Sequence, residues 1–197
     1  MAHDPATLRF YADEAARYAV QARQKPTRQL ADFLDELPSG GKVLELGCGA
    51  GIETEEIIRR GFDVVATDGS PEMAAEAARR IGRPVGTLLF EAIDDIGCYD
   101  GIWANACLLH VPLADLARVL SLIHRALKLG GRFRASFKQG AGEDRDGFGR
   151  YYNYPTEAEI RHHYAAAAAW HSLDIVEAGG SGYDKVPVTW LWCAARK

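Results

Sequence analysis

The chain has 197 residues, of which 48% are hydrophobic and 25% are charged, a composition typical of a globular protein with one sizeable core. Its formal net charge of −4 gives no overall attraction to phosphate backbones or anionic lipid, so we expect neither nucleic acid nor a membrane as a partner. The amino terminus lacks the apolar core of a signal peptide and no later stretch approaches the length of a membrane span, so we expect a cytoplasmic protein.

The first predicted element is an amphipathic helix, in which Leu30, Phe33, Leu34 and Leu37 recur at helical spacing. The aromatic segment RFYADEAARYA precedes it. We expect residues 1–38 to form a helical cap on a single domain that spans 1–197.

Seven short apolar runs then predict buried strands, and helical patterns separate most of them. The runs are KVLEL, DVVAT, GTLLF, GIWAN, RFRASF, SLDIVEA and VTWLWCAA. Ser70 before Pro71 is typical of a helix start, as is Thr156 three residues before Glu159. Because strands alternate with helices until the last pair, we expect an α/β fold: a doubly wound, mostly parallel seven-stranded sheet (Rossmann-like) with a C-terminal antiparallel hairpin.

Three glycines follow the first predicted strand in VLELGCGAG, at alternate positions 47, 49 and 51. In a doubly wound sheet the first strand-to-helix loop faces the ligand crevice. Glycine permits a tight turn and close approach of a ligand, and the helix starting near Ile52 presents free N–H groups. The alternative interpretation is a plain glycine turn.

Asp68 ends the second predicted strand, where a carboxylate can accept hydrogen bonds from both hydroxyls of an adenosine ribose. A solvated turn aspartate is the alternative. Dinucleotide-binding loops place their third small residue at the position where this chain has Ile52. In this chain the third small residue is Gly51, one position earlier. The pattern therefore favours a nucleoside ligand and disfavours a nicotinamide-dependent oxidoreductase.

The chain resembles the class I S-adenosylmethionine-dependent methyltransferases through LELGCGAG, ATDGS, YDGIWANACLLHVP and ALKLGGRF. These motifs cover most of residues 40–140, and the predicted terminal hairpin is similar to that of the family. LKLGG departs from the family's proline-containing turn. In its compact size and its WANACLLHVP region, the chain resembles tellurite-resistance-type methyltransferases.

The resemblance implies S-adenosylmethionine as cofactor and S-adenosylhomocysteine as product. Glu45 and the loop Gly47, Cys48, Gly49 and Gly51 would hold the amino-acid part, and Asp68 the ribose. The remaining implied contacts are Gly69, Ser70 and Met73 on the adenine side, Ala92 and Ile93 beside the ring, and Ala104 and Asn105 at the methionine moiety.

His110 follows the fourth strand in LLHVP and is the candidate general base, since its reference pKa lies near neutrality. Two alternatives stay open. The histidine can orient a loop, or the acceptor can be a nucleophile that needs no base.

Two aromatic segments are predicted to close the site: the N-terminal cap and a lid loop over residues 138–155. Rings at Tyr11, Tyr18, Tyr151 and Tyr152 would face a sulfonium through cation–π attraction, and we include Tyr11 in the cofactor site. Ordinary tyrosine packing is the alternative. Lys138, Arg145 and Arg150 could attract an anionic substrate, but Glu143, Asp144 and Asp146 interleave with them, so we expect a solvated mixed-charge loop rather than a strong anion site.

The predicted function is methyl transfer from S-adenosylmethionine to a small molecule, because ANACLLH lacks the motif by which DNA amino-methyltransferases hold a flipped base. A catalytically silent S-adenosylmethionine-binding regulatory protein is the alternative. The four cysteines form no metal spacing, and adjacent His162 and His163 would point apart, so we predict no metal site. Nothing in the sequence identifies an oligomeric state.

Overall fold

The helical cap lies at the amino terminus of the computed structural model, which describes residues 1–21 and 25–197. It consists of α1 (Pro5–Gln21) and α2 (Arg28–Asp35). Leu30, Phe33 and Leu34 of α2 are almost fully buried, which confirms the amphipathic helix, but Leu37, predicted as part of it, is buried beyond the helix end. Residues 22–24 of the predicted 1–38 cap lie outside the described residues.

The described residues form nine strands: β1 (Lys42–Leu46), β2 (Asp63–Asp68), β3 (Gly86–Thr87), β4 (Tyr99–Ala104), β5 (Leu127–Lys138), β6 (Glu143–Arg145), β7 (Tyr151–Asn153), β8 (Ser172–Ser181) and β9 (Pro187–Arg196). Seven of them form the central sheet, in the order β3-β2-β1-β4-β5-β9-β8. Strands β1 to β5 run parallel, whereas β9 pairs antiparallel with both β5 and β8. The predicted mostly parallel sheet with a C-terminal antiparallel hairpin is confirmed.

Four further helices cover the sheet: α3 (Ile52–Arg59), α4 (Pro71–Ile81), α5 (Leu113–Ala126) and α6 (Glu157–Ala167). The two predicted helix starts are correct. Ser70 Oγ accepts a hydrogen bond from the Met73 amide, and Thr156 and Glu159 form a reciprocal capping box. No helix in the described part of the chain is long and apolar enough to cross a bilayer.

The third strand is shorter than the run GTLLF predicts. Only Gly86 and Thr87 pair with β2, and the chain then turns through a 3₁₀ helix over Phe90–Ala92. The helix after β4 ends at Ala126, and the next residue, Leu127, pairs with Tyr99 in the sheet. Gly130, with a φ of +78°, lies in the irregular stretch that follows.

The predicted lid loop over 138–155 is a small hairpin rather than irregular chain, because β6 and β7 pair antiparallel within it. Asn153 is fully buried and anchors β7. Its side-chain amide donates to the carbonyl oxygens of Leu108 and Val111, at 2.9 and 2.7 Å.

Candidate functional site

A cavity of about 770 Å³ opens at the carboxyl ends of β1, β2 and β4. Its other walls come from α1, the β6–β7 hairpin and the turn between β8 and β9. The predicted site residues that line it are Tyr11, Gly47, Cys48, Gly49, Asp68, Gly69, Met73, Asn105 and His110.

The loop after β1 adopts the left-handed backbone that favours glycine, with φ of +63° at Gly47, +56° at Gly49 and +76° at Gly51. The space beside these residues differs. A Cβ at Gly47 would lie 2.5 Å from Cys107 Cβ, whereas one at Gly49 would meet nothing nearer than a Tyr18 ring carbon at 3.8 Å. Gly47 thus permits packing against the protein, and Gly49 leaves cavity space beside the backbone.

Asp68 joins this loop to the end of β2. Its two carboxylate oxygens accept hydrogen bonds from the amides of Gly49 and Ser70, both at 2.9 Å. Burial raises its pKa above the ordinary value, and the backbone amides oppose that rise. A carboxylate offers about four acceptor positions, so these two bonds leave capacity for ligand hydroxyls.

Glu45 was expected to contact the cofactor directly, but it does not line the cavity. It is buried beneath the loop, where Thr54 Oγ1 donates to its carboxylate at 2.6 Å. Burial raises the pKa of Glu45 to about 8. The geometry assigns this residue to the support of the loop and α3.

Glu53 is an acid of the cavity wall that the sequence reasoning missed. Its carboxylate accepts hydrogen bonds from Trp103 Nε1 at 2.7 Å, from the Asn105 amide at 3.1 Å and from Thr27 Oγ1 at 2.8 Å. An acidic residue in the first turn of the helix that follows the glycine loop was the available signal. These bonds tie α2, α3 and β4 together at one end of the cavity.

The other predicted contacts lie behind the cavity wall. Ile93 is 2% exposed and its side chain belongs to the hydrophobic core, because the 3₁₀ turn rotates it inward; Ala92 faces solvent. Leu88, Leu89 and Phe90 line the cavity in their place. Three further predicted residues do not line it: Gly51, which begins α3, Ser70, which caps α4, and Ala104, which is buried at the end of β4.

His110 is buried between the cap and the hairpin. Its Nδ1 lies 2.6 Å from the Tyr151 carbonyl oxygen and its Nε2 lies 3.0 Å from the Tyr11 hydroxyl. Burial, reinforced by the positive charge of Arg150 and Lys138, lowers the pKa of His110 to about 4. The imidazole is therefore neutral at physiological pH.

Arg150 is 1% exposed, which contradicts the expectation of a solvated loop. Asp146 Oδ2 accepts two hydrogen bonds from its guanidinium, at 2.9 and 2.6 Å, and the third nitrogen donates to the Tyr11 hydroxyl at 3.1 Å. Five rings surround the guanidinium at 4.8 to 5.7 Å, which favours a buried cation. The rings are Phe10, Tyr11, Phe148, Tyr152 and Tyr183.

Lys138 ends β5 and is 3% exposed at the cavity wall. Its ammonium lies 4.3 Å from the centre of the Tyr152 ring. Arg145, by contrast, is exposed and pairs with Asp4 at 2.8 Å, which fastens the hairpin to the start of α1.

Residues 44–135 match the family model described as a methyltransferase domain. The chain is 35% identical over 99 residues to the magnesium-protoporphyrin O-methyltransferase of Rhodobacter capsulatus, a match that covers 46% of this chain and 44% of the relative. It is 28% identical over 149 residues to the ubiquinone biosynthesis O-methyltransferase of Xanthomonas oryzae pv. oryzae, covering 65% and 62% of the two chains. The chain thus spans less than two thirds of the length of each relative.

Among solved structures, the 1,6-didemethyltoxoflavin-N1-methyltransferase of Burkholderia thailandensis, with bound 1,6-didemethyltoxoflavin and S-adenosylhomocysteine, superposes with a TM-score of 0.78. Sequence identity is 25%, and the match covers 98% of this chain and 87% of that one. The phosphoethanolamine N-methyltransferase 2 of Haemonchus contortus shares the fold at 18% identity and a TM-score of 0.73. These findings confirm the resemblance to class I S-adenosylmethionine-dependent methyltransferases; the tellurite-resistance-type subtype stays a prediction.

Proposed function

We propose that this chain, which carries a class I methyltransferase domain, binds S-adenosylmethionine and transfers its methyl group to a small-molecule acceptor. The observation that carries the proposal is that two unlike walls line one and the same cavity. The glycine loop and Asp68 form one wall, and the aromatic cover from α1 and the hairpin forms the other.

The first wall fits the cofactor. Gly49 leaves space beside its backbone, and the carboxylate of Asp68 has acceptor capacity for ribose hydroxyls. We assign the adenine to the apolar strip of Met73 and residues 88–90, and the amino-acid end to the wall formed by Glu53 and Asn105. Glu45 supports this wall from beneath.

When bound between the glycine loop and Asp68, the cofactor would supply an electrophilic methyl group on a positively charged sulfur, for transfer in line to the acceptor. The protein must align the two partners and exclude water. Tyr11 and Tyr152 serve both needs, since their aromatic faces attract a cation and cover the cavity. The domain division into cap, core and lid follows from this role.

His110 has a limited capacity to act as a base in this scheme. A pKa of about 4 makes it a weak proton acceptor near neutral pH. We therefore propose that His110 acts as a positioning residue, which holds the Tyr11 hydroxyl through Nε2. This choice favours an acceptor that reaches the site already deprotonated or intrinsically nucleophilic.

The small-molecule class of the acceptor is supported by the names of the relatives, which act on magnesium-protoporphyrin, in ubiquinone biosynthesis and on 1,6-didemethyltoxoflavin. The lack of a nucleic-acid partner stays a prediction from the net charge of −4.

Calorimetric titration with S-adenosylmethionine, S-adenosylhomocysteine and NADH tests the cofactor. We expect the first two to bind and Asp68→Asn to weaken both at least about tenfold, because one charge-assisted hydrogen bond contributes about 1.5–3 kcal/mol. Asp100→Asn is the matched control, since Asp100 accepts from the Lys42 amide at the opposite end of the sheet. Binding of NADH alone would overturn the proposal.

Radiolabelled methyl transfer to a panel of phenols, catechols and heteroaromatic amines tests catalysis. We expect at least one acceptor to be methylated, with S-adenosylhomocysteine released in equal amount. Tight cofactor binding without transfer to any member of a broad panel would favour the silent regulatory protein instead.

A further inference from the structure

We propose that Lys138 binds a negatively charged group of the methyl acceptor, so that the cavity selects anionic acceptors with an aromatic or conjugated body. This inference rests on the proposed function and deepens it by assigning the acceptor's chemical class.

The ammonium of Lys138 has no hydrogen-bond acceptor among the residues that the structure describes. Lys138 is 3% exposed and lines the cavity, and Nζ makes no hydrogen bond or ion pair with any residue that the structure describes. Its nearest favourable contact is the face of the Tyr152 ring, at 4.3 Å. A buried charge is costly unless it is paired, and an anionic ligand would supply the partner.

The surrounding charges are already committed. Asp146 is paired with Arg150 through two hydrogen bonds, and Arg150 itself repels the ammonium. Asp184, in the turn after β8, attracts Lys138 but lies outside ion-pair distance in the described structure, and accepts from the Val186 amide at 3.2 Å. Burial and Arg150 lower the pKa of Lys138, whereas Asp184 and Asp146 raise it. Arg150 is therefore the neutralised cation and Lys138 the uncompensated one.

The walls around Lys138 suit a flat apolar body. Aromatic rings line the cavity that Lys138 also lines, and small residues of β8 leave room: a Cβ at Gly179 would meet nothing within 4 Å. The aromatic residues are Tyr18, Tyr152, Tyr183, Trp190 and Trp192. An anion here would also be attracted by the positive sulfur of the cofactor.

The test uses 4-nitrophenol, whose anion and neutral form absorb at different wavelengths, with 4-nitroanisole as its neutral methylated counterpart. Both are titrated into the complex of the full chain with S-adenosylhomocysteine. In wild type we expect the bound phenol to ionise about one pH unit lower than in water, because a nearby cation favours the anion. Linkage then requires 4-nitrophenolate to bind about tenfold more tightly than neutral 4-nitrophenol, the factor for one pKa unit, and we expect a similar preference over 4-nitroanisole.

Lys138→Met should abolish both differences and leave the affinity for 4-nitroanisole unchanged, whereas Lys138→Arg should retain the preference for the anion. Lys128→Met is the matched control, because Lys128 lies near the other end of the same strand, paired with Asp100 at 2.8 Å. Equal binding of the two probes to wild type, or an anion preference that survives in Lys138→Met, would overturn the inference. Loss of S-adenosylhomocysteine binding by wild type would instead overturn the proposed function.

Discussion

The hydroxyl of Tyr11 lies 3.0 Å from Nε2 of His110 and joins α1 to the segment that follows β4. The opposite nitrogen of His110, Nδ1, lies 2.6 Å from a carbonyl oxygen, which can only accept. Nδ1 therefore carries the proton, and Nε2 accepts the hydrogen bond that Tyr11 donates. Arg150 donates to the same hydroxyl, at 3.1 Å, so a single oxygen connects the cap, the hairpin and the central sheet.

Replacement of Tyr11 by phenylalanine should lower the free energy of unfolding by about 2 kcal/mol, because it leaves a buried acceptor of His110 without a donor. The ring and its packing are kept. Urea unfolding of wild type and Tyr11→Phe measures the change. The control is Tyr183→Phe. The Tyr183 hydroxyl donates to Gln21 at the surface, so its removal should lower the free energy of unfolding by less than about 1 kcal/mol. Equal losses in the two variants would contradict the connecting role of Tyr11.

Two alanine substitutions in the glycine loop should separate packing from ligand space. Gly47→Ala should lower the free energy of unfolding by roughly 3 kcal/mol, since it combines a positive φ with a Cβ 2.5 Å from Cys107. Gly49→Ala should lower the free energy of unfolding by about 1–2 kcal/mol because of its positive φ alone. It should also weaken the binding of S-adenosylhomocysteine at least about tenfold. Thermal unfolding and calorimetry measure the two effects. Wild-type affinity in a folded Gly49→Ala variant would show that no ligand approaches Gly49.

The features that were predictable from sequence are those that depend on neighbouring residues. The caps at Ser70 and Thr156 are local hydrogen-bond motifs, and the sheet class follows from strands that alternate with helices. The direction of Ile93 was not predictable, because it depends on where pairing with β2 stops. After Thr87 the chain turns away, and Ile93 enters the core.

The burial of Arg150 and Lys138 was not predictable from sequence for a related reason. Arg150 and Lys138 stand among acids in sequence, a pattern that is usually solvated. The rings that surround Arg150 come from three separate segments of the chain, which contribute for example Phe10, Phe148 and Tyr183. Only the fold brings these rings together, and among the described residues it leaves the Lys138 ammonium without an acceptor while Asp146 pairs with Arg150.

The lowered pKa of His110 predicts a specific pH dependence of stability. Burial reduces the pKa from 6.5 to about 4, so the unfolded chain binds the proton first and stability is lost as pH falls from 6.5 towards 4. Between pH 7 and pH 5 the protonation of His110 in the unfolded chain should lower the free energy of unfolding by about 2 kcal/mol, at about 1.36 kcal/mol per pKa unit. Relative to wild type, His110→Asn should therefore gain about that amount in free energy of unfolding when pH is lowered from 7 to 5.

Urea unfolding of both proteins at the two pH values measures this gain. The comparison must be with wild type, because Glu45 acts in the opposite direction: burial raises its pKa to about 8, so its protonated form stabilises the fold at low pH. A constant difference between wild type and His110→Asn across the window would show that His110 titrates normally.

The pair of Asp146 and Arg150 should hold the cover together. Asp146→Asn removes the counter-charge of the Arg150 guanidinium, which is 1% exposed. The free energy of unfolding should fall by about 3 kcal/mol or more. Because Arg150 also donates to Tyr11, the loss should spread to α1. Hydrogen exchange should accelerate in residues 140–154 and 10–18 and stay unchanged in β1 and β4. In wild type, S-adenosylhomocysteine should slow exchange in the same two ranges.

Asp144→Asn is the control for this variant, since Asp144 lies on the same hairpin, is exposed and accepts only from the adjacent Arg145 amide among the described residues. Its exchange profile should match that of wild type, because an exposed side chain with one local hydrogen bond contributes little. Acceleration confined to 140–154 in Asp146→Asn would mean that the hairpin opens without the cap. Slowing by S-adenosylhomocysteine confined to residues 45–70 would leave both segments as static surface, and the cover would then play no part in enclosing the acceptor.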